Sequence, residues 1–232
     1  MSSTNDKIAF ADSGELCKAV KIFTGKDDSS KQQLISTYGE ICLWDVTNVT
    51  DMTYMFAHCY NFNSDISLWD VSNVTNMIGM FYSCQNFNSD ISLWNVKNVT
   101  NMQWMFHCCL NFNTDISIWN VENVTDMSFM FSDCNNFNSD FSLWNVKNVT
   151  YMDGMFHDCP KFLNSINGYK WNKQYWKFIK EIIKTRAIAN YWLELSCISS
   201  YAPDGAGRKR DLQSFQQFAI HSLDVDQVEV YI

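Results

Sequence analysis

Four side-chain types recur in register through this 232-residue chain, and each could do chemistry. Cys59, Cys84, Cys109, Cys134 and Cys159 stand 25 residues apart, as do Trp44, Trp69, Trp94, Trp119 and Trp144. Asp65, Asp90, Asp115 and Asp140 form a third column. The Asn-Val-Thr sequons at Asn48, Asn73, Asn98, Asn123 and Asn148 form a fourth. Cysteines stacked about 4.8 Å apart would fall within the Cα reach of a disulfide. Each, however, shares an apolar face with Met and Phe, so the column reads as buried, inert thiols. A straight line of Cys with no His beside it builds no tetrahedral metal site. Cys108 lies one position off the column and is the thiol expected to react first.

The Trp column has two readings. Alternation at Ile66 and Leu68 points those residues inward and sends Asp65, Ser67 and Trp69 outward. Trp44, Trp69, Trp94, Trp119 and Trp144, with Ser67, Ser92 and Ser117, then form an exposed strip suited to sugar rings or a protein partner. In the other reading the chain bends after Leu68 and each Trp plugs the core. The Asp column suggests calcium, but such ladders also satisfy turn backbone. The sequon Asn residues suit tight turns as well as glycan attachment. Tyr54, Trp104 and Phe129 occupy matching slots that Gly79 and Gly154 leave empty, and so could form a binding patch. His107 and His157 lie two repeats apart, about 10 Å, too far to share a metal. Arg208, Lys209 and Arg210 read as a solvated loop. With no nucleophile elbow, P-loop, dinucleotide fingerprint or H-E-x-x-H, no enzymatic activity, cofactor or metal is expected.

The elements that must position these columns follow from the repeat. Met77, Met80, Phe81 and Cys84 are spaced as one face of a short helix, and Ile66 and Leu68 as a strand. The expected fold is therefore α/β: a solenoid of five 25-residue strand–helix repeats with a parallel sheet. Residues 1–40 predict a helical N-terminal cap on Leu16, Ala19, Val20 and Phe23, residues 41–163 the repeat array, and residues 164–232 a helical C-terminal cap. In that last segment, 171–195 predicts a long amphipathic helix and Val228, Val230 and Ile232 an edge strand. Residues 43–159 hold two Lys and no Arg against twelve acids, a net of −10, while 160–232 carries +3. The whole chain is −8, 47% apolar and 16% aromatic, which supplies a core and argues against nucleic acid as a partner. No apolar run is long enough to span a membrane, and no signal peptide is visible. Nine Cys leave an odd thiol, which fits a reducing compartment, so an intracellular or virion-associated monomer is expected.

The repeat W-[DN]-V-x-N-V-T-x-M-x-x-M-F-x-x-C-x-x-F-N-x-D-[IF]-S resembles the BspA-type leucine-rich repeat, in the branch that includes the Mycoplasma lipoprotein repeats. The resemblance covers residues 41–163. It implies a leucine-rich-repeat fold, surface exposure and a role in binding or adhesion, and no catalysis. The expected function is a non-enzymatic protein–protein interaction module working through its concave or variable convex surface. The alternative is a surface adhesin that binds glycans on the Trp column.

Overall fold

A computed structural model describes residues 8–140 and 143–162, which fall within one compact unit ending at Phe162. The C-terminal segment 164–232, with its expected helices and edge strand, lies outside the described residues.

Two helices precede the array. Helix α1 (Ser13–Thr24) starts at Asp12, whose carboxylate accepts the Glu15 N–H at 2.8 Å, while Glu15 reaches back to the Ala11 N–H. The Asp12 bond satisfies a donor that the first helical turn leaves open, and the Glu15 bond fixes the residue before the cap. Leu16, Ala19 and Val20 form the buried face of α1. Helix α2 (Asp28–Tyr38) is capped by Asp27 and ends at Gly39. The Tyr38 hydroxyl donates to Glu15 at 2.8 Å, which ties the end of α2 to the start of α1. Phe10 stacks on Tyr38 and meets Trp44 edge-on, and Phe23 meets the same indole, so the helical segment closes over the first Trp.

The repeats themselves overturn the expected fold class. Among the described residues there is no strand, no sheet and, between Trp44 and Cys159, no helix. Single parallel bridges link Asp51, Asn76, Asn101, Asp126 and Tyr151 in succession. An α/β leucine-rich-repeat solenoid with a parallel sheet is therefore not what the described residues form. Each 25-residue coil is a chain of tight turns. In the second coil, the N–H groups of Trp69, Val74, Met80, Tyr82, Cys84 and Phe87 each donate to the carbonyl three residues back. The Met77–Cys84 spacing looks helical because turns offset by two residues bury the same positions as a short helix. A helix is ruled out by backbone at φ 55° in Gly79 and 59° in Ser83.

Successive coils are joined by a polar ladder. Met77, Gly79, Phe81 and Ser83 send their N–H groups to the carbonyls of Asn101, Gln103, Met105 and His107, at 2.8–3.0 Å. The same four bonds recur at the joints before and after. Thr100 and Asn111 complete the joint with N–H groups that run back to Thr75 and Gln85. Inside, Phe56, Phe81, Phe106, Phe131 and Phe156 stack 5.4–5.9 Å apart with nearly parallel rings. Phe62, Phe87, Phe112 and Phe137 form a second such column. No coil can bury these rings alone, so the core is continuous along the stack.

Candidate functional site

The polar columns that could have done chemistry are mostly committed to the coil joints. The sequon amides of Asn73, Asn98, Asn123 and Asn148 each donate to a carbonyl of the preceding coil at 2.6–2.8 Å. Asp65, Asp90 and Asp115 accept the N–H of half-buried Ser67, Ser92 and Ser117 at 2.9–3.0 Å. These are Asx turns. Those N–H groups, followed by the Ser hydroxyls, hold the three carboxyls below the usual carboxylate range. The thiols of Cys84, Cys109, Cys134 and Cys159 donate to the Phe carbonyl 28 residues earlier, at 2.6–3.0 Å. All are free, and burial pushes each thiol up, Cys159 to about 12.

Trp44, Trp69, Trp94, Trp119 and Trp144 are plugs, only 3–6% exposed. Their indole N–H groups donate to main-chain carbonyls; from Trp69 onward the acceptor is 28 residues earlier, as from Trp94 to Ile66 at 3.1 Å. Stacking on sugars would need open ring faces, and these rings face other rings. Tyr54, Trp104 and Phe129 do share one column, at positive φ. Tyr54 is exposed and the other two are half-buried. The rings of Tyr54 and Phe129 lie across Gly79 and Gly154 of the next coil, where an added Cβ would collide with them.

The expected phase of the Ile66–Trp69 segment is also corrected. A tight turn brings the Trp69 N–H back to the Ile66 carbonyl and points both of those side chains inward. The corner residue Leu68 is left outside. Leu43, Leu68, Leu93, Ile118 and Leu143 thus form a column that is 43–79% exposed, rimmed by the exposed Asp65, Asp90 and Asp115. Five aligned aliphatics are a patch rather than scattered surface residues.

A second feature lies between the repeated Phe and Cys, where the motif M-F-x-x-C fixes no residue. Here Asp133 fills the gap between His107 and His157 that coil spacing suggests. His107 Nδ1 lies 3.6 Å from Asp133 Oδ2, and Cys108 Sγ lies 3.3 Å from His107 Nε2. His157 Nδ1 is 3.7 Å from Asp158 Oδ2. Burial holds the His107 imidazole below its ordinary pKa, against the pull of Asp133. Burial and Asp133 together push the Cys108 thiol up. A thiol–imidazole–carboxylate order suggests a nucleophile, but a nucleophile needs an oxyanion donor. The N–H groups of Cys108 and Cys109 are already bonded to Ser132 and Phe106. The signal in the sequence was the pair of unconstrained positions, which collect His, Cys and Asp.

No helix among the described residues is long and apolar enough to cross a membrane. Residues 29–116 and 91–191 match the family model described as Mycoplasma protein of unknown function, DUF285. The Mycoplasma-repeat part of the expected resemblance is met by this match, which carries no BspA or leucine-rich-repeat assignment. No curated protein and no solved structure matches the chain.

Proposed function

The chain belongs to the family described as Mycoplasma protein of unknown function, DUF285, and from that premise we propose that it is a non-enzymatic protein-interaction module whose contact surface is the Leu43–Leu143 stripe. The observation that carries this reading is the register of the stripe: one exposed aliphatic at the same turn corner of every coil. Exposed turn corners ordinarily take polar residues, so five aliphatics there call for an apolar cover. The net charge of −10 over residues 43–159 defines its complement, an apolar protein face rimmed by Lys and Arg. The half-buried Ser67, Ser92 and Ser117 lie beside the stripe and Tyr54 lies on a separate column.

Panning a displayed random-peptide library against the full-length protein tests this. Selected peptides should carry apolar residues next to Lys or Arg and weaken with salt. They should lose at least tenfold in affinity on the Leu68→Ser/Leu93→Ser/Ile118→Ser variant. Equal binding to that variant, or no selected sequence at all, overturns the reading.

A further inference from the structure

Two consecutive coils bring nitrogen, sulfur and oxygen ligands to one edge of the stack. We propose that His107, Cys108 and Asp133 bind one divalent transition-metal ion of the Zn2+ class. One ligand atom from each of the three can be chosen so that all lie within 4.8 Å of one another, and all three residues are half-buried. An imidazole, a thiolate and a carboxylate together suit zinc better than the hard cations Ca2+ and Mg2+, which take oxygen alone.

A second observation points to an ion. The His107 Nδ1 atom is buried and has no hydrogen-bond partner among the described residues. It faces Asp133 Oδ2 at 3.6 Å, too long for a hydrogen bond. Two donors on a tetrahedral zinc stand roughly 3.3–3.6 Å apart, from the usual metal–ligand lengths. The separation fits a shared ion as well as an ion pair with a protonated imidazole, and Cys108 Sγ lies 3.3 Å from the other ring nitrogen, Nε2. Asp133 Oδ2 also accepts the Ser132 hydroxyl at 2.8 Å, the kind of outer contact that orients a ligating carboxylate.

The backbone holds the ligands in advance. Cys108 and Asp133 are both left-handed, at φ 58° and 61°, and their N–H groups are fixed in the ladder to Ser132 and His157. His157 and Asp158, in the next coil, cluster with Asp133 at the same 4.8 Å limit and border the site. On binding, the Cys108 thiol gives its proton to solvent and the sulfur electron pair goes to the ion; nothing is oxidised or reduced.

The test is titration of the reduced, metal-free full-length chain with Co2+, then with Zn2+ as competitor. The expected result is one Co2+ per chain, a near-ultraviolet thiolate-to-Co2+ charge-transfer band, and displacement by Zn2+. Cys108→Ser should abolish the band, and His107→Ser or Asp133→Ser should weaken Zn2+ binding at least tenfold. Cys17→Ser and Cys42→Ser should keep both. Ser already stands at the matching positions, Ser83 and Ser132, so the test variants place in each coil a residue the fold accommodates. Unchanged thermal melts verify this. The proposal is overturned by a band that survives Cys108→Ser, by uptake without a band, by affinity indifferent to Asp133→Ser, or by no uptake.

Discussion

The ring of Tyr54 occupies the space that a Cβ on Gly79 would need. Gly79 also sits at φ 55°, so Gly79→Ala meets both a collision and backbone strain. The variant should lose about 1–3 kcal/mol in urea unfolding. Removing the ring as well, in Tyr54→Ala/Gly79→Ala, should recover part of that loss, with a coupling of at least about 0.5 kcal/mol. Strict additivity of the two changes would show that the ring does not lie there.

Trp94 tests the plug. Its indole N–H reaches the Ile66 carbonyl, which also accepts the Trp69 N–H. Trp94→Phe keeps a ring but loses one bond, at about 1 kcal/mol beyond the cavity cost. Trp94→Ala empties the site and should cost about 3–5 kcal/mol. Denaturation midpoints read both, and a Trp94→Ala protein as stable as the parent would place the indole outside the core.

Two aliphatics two residues apart should behave oppositely. Ile91 is fully buried and Leu93 is 79% exposed. Ile91→Ser should therefore destabilise by several kcal/mol, whereas Leu93→Ser should stay within about 0.5 kcal/mol of the parent. Comparable thermal shifts for the pair would mean that the turn is phased the other way.

Acid should weaken the Asx turns. The folded pKa values of Asp65, Asp90 and Asp115 lie below their unfolded ones, because the ionised form accepts the Ser N–H groups. Their contribution is present above about pH 4 and is lost as pH falls through the lowered folded values. Thermal melts of the parent and of Asp65→Ala/Asp90→Ala/Asp115→Ala should differ at pH 7 and converge at a pH below the lowered folded values. A gap that stays constant down to that pH would assign the effect to packing.

Alkylation separates the thiols. Cys84, Cys109, Cys134 and Cys159 are buried and bonded to carbonyls, while Cys108, whose thiol is also pushed up, is half-exposed. Iodoacetamide should modify Cys108 in the native protein and leave those four until unfolding. Mass mapping that finds Cys84 labelled at the Cys108 rate would contradict the packing.

The period and the core were legible because burial repeats with the residues: Phe81, Phe87 and Cys84 recur as the same contacts in every coil. The path of the backbone was not. A spacing such as that of Met77, Met80, Phe81 and Cys84 states which side chains go inward, but not whether an N–H stays in its own turn or crosses to the next coil. The left-handed residues Ser83 and Cys108 give no glycine signal, since the ladder imposes a conformation that their side chains would not select. That missed turn also inverted Leu68. The His107–Cys108–Asp133 cluster was hidden for a different reason. Twenty-five positions of sequence separate groups that a single step of the stack makes neighbours.

The ladder has a direction with consequences for assembly. In the four-bond set every donor points to the coil that follows and every acceptor to the coil before. At those four positions, two arrays meeting at like ends would set N–H against N–H, or C=O against C=O, while the row that carries Thr100 and Asn111 runs the other way. Unlike ends match both rows in register, and that contact repeats by translation instead of closing on a twofold axis. End-on pairing in that register would lead to filaments, and at the first coil the N-terminal segment already occupies the ladder, through Phe10 on Asp45 and Ser13 on Asp51.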